Sequence, residues 1–184
     1  MTNKAIDAGL LALRLGVGGA LAAHGAQKLF GWFGGYGPTG TGQYMDSLGF
    51  PGDGKRNAIL SGLAEFGGGS LLALGLGTGP AGAAVTGNMI VASSTHIPNG
   101  FFNAAGGYEL PATFGLVGSV LALTGPGKFS LDRATGGALN KPWMAVVGLV
   151  TTVAAAAYMV SSRKTPEPTL EDVNEAEAPA DSGE

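Results

Sequence analysis

The chain has 184 residues, 34 of them glycine, with two histidines, no cysteine and a formal charge of -3. The missing cysteines exclude disulfides, iron–sulfur ligation and thiolate chemistry within the chain, so any redox role needs a borrowed cofactor. Seven of the thirteen acids lie in residues 163–184 beside Arg163 and Lys164, which makes that segment about -5 and the rest about +2, a balance that suits no nucleic-acid partner.

In chain order, the apolar blocks predict an all-α membrane protein. The first span covers Ile6–Ala23; Asp7 and Arg14 break the basic-then-apolar pattern of a cleavable signal, so this helix is expected to be retained. The loop at 28–57 places Phe30, Trp32, Phe33 and Tyr36 among glycines. Rings of this kind favour the headgroup layer, which predicts a segment folded back on the helix ends, with a short interfacial helix at 46–56 and a turn at Pro51-Gly52-Asp53-Gly54.

From Ala58 to Thr95 the only charge is Glu65. This stretch is long enough for two crossings of about 20 residues each and breaks at Gly75-Leu76-Gly77-Thr78-Gly79-Pro80, which predicts spans at Ala58–Leu76 and Pro80–His96. The match of Gly77-Thr78-Gly79-Pro80-Ala81-Gly82 to a dinucleotide fingerprint is set aside, because it follows a span and lacks the strand-helix-strand frame. A fourth span is predicted at Tyr108–Thr124 and a fifth at Trp143–Val160. The fifth is uncharged and flanked by Lys141 and Arg163, which reads as an anchor more than a site. The tail from 163 to 184 reads as a disordered acidic segment.

Small residues recur at four-residue steps with a polar group in each row. Ala8, Ala12, Gly16, Ala20, His24 and Lys28 form one row, Ser61, Glu65, Gly69, Ala73 and Gly77 a second, and Ala84, Asn88, Ala92 and His96 a third. Such seams let helices approach closely, so their polar groups are expected to face neighbouring helices. By the order of the spans, His24, Lys28, His96 and Glu109 are expected at one membrane face. Arg14 and Glu65, each counted from the start of its own span, fall near mid-bilayer. An unpaired charge there costs roughly 2.5 to 3.5 kcal/mol, which predicts an Arg14–Glu65 ion pair with Asn88 as a hydrogen-bond partner. The pair serves either packing alone or the support of a pocket above it. In such a pocket, imidazoles beside a carboxylate can relay protons, hydrogen-bond a quinone carbonyl or hold a metal. Metal binding is the weakest of these, because no closely spaced ligand motif is present.

Arg14, His24-Gly25-Ala26-Gln27-Lys28-Leu29, Glu65-Phe66-Gly67-Gly68-Gly69, His96 ahead of Gly100-Phe101-Phe102, Tyr108-Glu109 and Gly125-Pro126-Gly127-Lys128-Phe129-Ser130-Leu131-Asp132 together resemble the DoxX family of bacterial and archaeal integral membrane proteins, over roughly residues 8–135. The resemblance implies a four-helix transmembrane bundle in the bacterial plasma membrane. The chain then divides into a DoxX-like domain (1–135), an added transmembrane helix (136–162) and the tail (163–184). Relatives serve as quinone-reducing subunits of thiosulfate:quinone oxidoreductase, and some mycobacterial members belong to a membrane complex with superoxide dismutase and a sulfurtransferase. The resemblance thus implies a redox-complex subunit. For this chain the expected quinone contacts are His24, Lys28, His96 and Glu109, with Arg14, Glu65 and Asn88 as buried polar support. The alternative is a non-catalytic anchor or assembly subunit that recruits a partner through the aromatic loop or the tail. The expected partners are the lipid bilayer and either a larger membrane complex or a second copy of the chain; no covalently bound cofactor is expected.

Overall fold

The computed structural model describes residues 4–164. Its helices are α1 (Lys4–Phe30), α2 (Gly37–Ser47), α3 (Gly54–Leu74), α4 (Thr78–His96), α5 (Glu109–Thr124), α6 (Leu131–Ala134) and α7 (Pro142–Ser161), with single 3-10 turns at 32–34, 97–99 and 103–105 and no strand among the described residues. The acidic tail expected from 163 onward lies, past Lys164, outside the described residues.

Five of these helices coincide with the five predicted spans, and the differences at their ends have local causes. Nothing from Gly25 to Phe30 interrupts a helix, so α1 continues past Ala23 until Gly31 turns left-handed at φ 70°. The short helix expected at 46–56 lies instead at Gly37–Ser47, because Pro38 suits a first helical turn and the positive φ of Gly49 and Gly52 prevents continuation. Asp53 then opens α3, its Oδ1 accepting from Arg56 N at 2.7 Å. Gly75 and Gly77, at φ 66° and 55°, turn the chain between α3 and α4.

α4 is the central helix, packed against α3, α5 and α7, while α1 and α2 pack against α3. Leu21, Leu72, Ala81, Val85, Met89 and Leu121 form the apolar centre. Small residues at the contacts let the helix backbones approach closely, so close packing carries the association. The seams supply it: a Cβ on Gly18 would sit 2.6 Å from Gly69 O, and one on Gly25 would overlap the Phe66 backbone nitrogen. α7 packs on α4 in the same manner, with Gly87 against Thr152 and Thr152 Oγ1 donating to Ala83 O at 2.9 Å.

The two ends of the bundle are tied differently. At the end where α1 begins, Asp132 is buried and accepts from Gly77 N (2.8 Å), Thr78 N (3.0 Å) and Thr78 Oγ1 (2.9 Å), capping α4 from the short helix α6, 54 residues further along. Asn140 Oδ1 accepts from Gly79 N beside it. Asp132→Ala strands these donors, and we expect it to lower stability by about 2–3 kcal/mol, measured as a fall in the thermal unfolding midpoint in detergent. At the opposite end, Arg163 Nε donates to Leu48 O at 2.7 Å and Lys164 N to Gly49 O at 2.9 Å, which clasps the end of α7 to the turn after α2.

Candidate functional site

Close packing along the α1–α3 seam fixes which polar groups can meet. Gly25 lies against Phe66, and the Arg14 guanidinium occupies the space that a Cβ on Gly75 would need. Arg14 therefore lies about 16 Å along α1 from the level of Glu65, at 1.5 Å per residue. The expected Arg14–Glu65 pair does not form. The two helices are antiparallel, so depths counted from their own starts are counted from opposite faces. Arg14, fully buried, donates from Nη2 to Phe129 O at 2.5 Å and makes a long 3.5 Å contact from Nη1 to Leu72 O, with Asp132 as the carboxylate acting on it.

Glu65 instead pairs with Lys28. Lys28 Nζ lies 2.5 Å from Glu65 Oε1 and donates to Ser61 Oγ at 3.0 Å; Asn88 Nδ2 donates to the same Glu65 oxygen at 3.2 Å. The carboxylate is 3% exposed, and its Oε2 has no partner among the described residues. The last two turns of α1 carry this geometry: they extend the helix far enough for the Lys28 stem to run along α3 while its ammonium reaches the acid.

Beside this cluster is a cavity of about 580 Å³ with mainly apolar walls. α3 contributes Leu60, Ser61 and Ala64, α4 contributes Gly87, Asn88, Val91 and His96, and α7 contributes Thr152, Ala155, Ala156 and Met159. Tyr44, Met45 and Phe50, from α2 and the turn after it, line the same space, as does Lys28. The fifth span is thus a wall of the cavity, a role that its bland composition did not suggest.

The expected face cluster separates on inspection. Lys28 and His96 line the cavity, and Asn88 joins them from the buried set. His24 does not; it is exposed on α1 with its ring edge-on to Phe114, 6.0 Å between centroids. Glu109 does not either, because its Oε2 accepts from Asn103 N at 3.0 Å and so holds the turn before α5. His96 Nδ1 lies 2.7 Å from Gly106 O; a carbonyl only accepts, so Nδ1 carries the proton and Nε2 of the neutral ring remains an acceptor. Among the described residues no group of three metal-capable side chains converges. Asp132, Asn140 and Tyr44 are positions to which the sequence reading gave no role; Asp132 entered it only as the last residue of the Gly125–Asp132 motif.

Residues 9–97 match the DoxX family model. Over this segment, just under half of the chain, the protein is similar to the DoxX family. Comparison with curated proteins and with solved structures finds no match. DoxX proteins are generally membrane proteins, and α1 and α7 are each long and apolar enough to cross a bilayer. The DoxX match covers α1 to α4 and therefore Lys28, Ser61, Glu65, Asn88 and His96. It ends before α5 and the Gly125–Asp132 segment, which the sequence resemblance had included. The α7 wall of the cavity also lies outside it.

Proposed function

We propose that the chain is a multi-pass subunit of a redox complex in the bacterial plasma membrane, with α1, α3, α4, α5 and α7 crossing the bilayer and a quinone head held in the cavity between α3, α4 and α7. The observation that carries this reading is a cavity with apolar walls and one polar end, on a molecule whose outward faces are themselves apolar. Val146, Val150 and Tyr158 on α7, Leu116 and Leu123 on α5, and Leu63 and Leu74 on α3 are all exposed. An apolar surface of this extent suits lipid and not water.

The donor set at the polar end fits a quinone. Lys28 and Asn88 are donors, and a quinone head offers carbonyl acceptors. Glu65 balances the Lys28 charge, so the end as a whole favours a neutral head over an anionic one. The walls of Ala64, Gly87, Ala155 and Ala156 leave room for a flat ring and the start of an isoprenoid tail. When bound, the quinone would supply two-electron acceptor chemistry, while Lys28, Asn88 and His96 would orient its oxygens.

The test begins with the protein extracted from its native membrane in mild detergent and the lipids and proteins that accompany it identified by mass spectrometry. We expect a quinone near one per chain. Ala155→Trp, which fills the cavity from an exposed position on α7, should reduce that quinone at least tenfold, and His24→Ala should leave it unchanged. Equal quinone in wild type and Ala155→Trp would remove the cavity from the account. A second reading, a non-catalytic anchor or assembly subunit, draws on the exposed Trp32, Phe33, Tyr36, Phe101 and Phe102 at the end of the bundle where α1 finishes. A stable protein partner without quinone would favour it.

A further inference from the structure

The ammonium of Lys28 has three N–H bonds. Two are used, toward Ser61 Oγ and Glu65 Oε1, and the third has no protein acceptor among the described residues. Lys28 itself lines the cavity and is partly exposed, with a side-chain accessibility of 24%, while Glu65 behind it is sealed at 4%. Glu65 Oε2 is buried with no partner, so a second unfilled hydrogen-bonding position lies directly behind the lysine. The other titratable groups that line the cavity are His96 and Tyr44; α7 contributes none. The Nδ1 proton of His96 is committed to Gly106 O; Tyr44 is a second exposed donor at the cavity, and Lys28 differs from it in carrying a cation fixed in place by Ser61 and Glu65.

Resting on the quinone reading of this cavity, we propose that Lys28 both hydrogen-bonds the head and delivers a proton to it, with Glu65 as the buried counter-charge that positions the ammonium. Reduction of a quinone to a quinol takes two electrons and two protons. The electrons come from a reduced flavin or metal centre of a partner subunit. One proton leaves Lys28 Nζ, the N–H bond breaking as an O–H bond forms on the oxygen being reduced, and the amine left behind stays hydrogen-bonded to Ser61. The other proton, and the one that restores the ammonium, come from water at the end of the bundle where Lys28 emerges. Glu65 remains a carboxylate throughout; it positions Lys28 and does not touch the head.

The test compares wild type with Lys28→Arg, which keeps the cation and its pairing with Glu65 but does not release a proton at accessible pH. Full-length protein in lipid nanodiscs is loaded with decylubiquinone, and three quantities are read: binding, protection of position 28 from amine-specific labelling in the wild type, and the rate of electrochemical reduction in H2O and D2O. We expect binding within about threefold between the two proteins, protection of Lys28 by the quinone, and reduction slower by roughly 100-fold in the variant, as for loss of a general acid. The wild-type rate should also fall in D2O. Unprotected Lys28 beside bound quinone, or equal reduction rates in the two proteins, would overturn the proton role while leaving the cavity reading standing. No binding to wild type would sink both. If Lys28→Arg does not fold, the labelling and the D2O rate on wild type decide the matter alone.

Discussion

Glu65→Leu is expected to cost the folded protein about 3 kcal/mol, because it removes the carboxylate that pairs the Lys28 ammonium and accepts from the Asn88 amide, leaving the ammonium Ser61 Oγ as its remaining protein acceptor among the described residues. The informative experiment is a double-mutant cycle read by thermal unfolding in detergent. Lys28→Met should restore most of the stability lost in Glu65→Leu, since a neutral unbranched chain can lie in the same space without a buried charge. A double variant as unstable as Glu65→Leu alone would mean that the acid is held by contacts other than the lysine. The pair thus has separable consequences: removing it whole is tolerable for folding, while removing half is not. That asymmetry lets its part in ligand chemistry be tested apart from its part in stability.

Gly25→Ala should be nearly as damaging. A Cβ there overlaps the Phe66 backbone nitrogen, and a backbone cannot rotate away as a flexible side chain can. We expect a loss of about 3 kcal/mol as α1 and α3 are forced apart. Gly19→Ala, on the same helix, has nothing within 4 Å of the new methyl. It should be neutral or stabilising by up to about 1 kcal/mol, since alanine is the better helix former. Unfolding midpoints of the two variants, measured side by side, check that position and not residue type decides. Equal behaviour would contradict the α1–α3 packing described above.

The elements themselves were legible from sequence. Long apolar blocks, the Gly75–Pro80 break and the four-residue seams place α3, α4, α5 and α7 to within a few residues, because helices are local objects whose ends are set by glycine and proline chemistry. The site was only half legible. His96, Lys28 and Asn88 were named and do line one cavity, while His24 and Glu109 were named for their depth and turn elsewhere, one toward Phe114 and the other into its own loop. Depth follows from chain order, but the side of a helix that a residue presents follows from tertiary packing. The Arg14–Glu65 error is of the same kind. The start of the second span is at the face where the first one ends, so Glu65 belonged with Lys28. Ending the first helix at Ala23 had left that lysine out of the helix. Asp132 entered only as the end of the Gly125–Asp132 motif, and its role was hidden for a different reason: its partners Gly77 and Thr78 lie more than fifty residues away, and two of the three donors are backbone N–H groups.

α7 is held at both of its ends, by Asn140 meeting Gly79 at one and by Arg163 and Lys164 meeting Leu48 and Gly49 at the other. Fastening at both ends opposes an outward swing of this wall. Under the quinone reading, the space that this wall borders would then select by thickness: we expect flat rings and slender chains to enter and a guest of the same chemistry with a broader cross-section to bind more weakly.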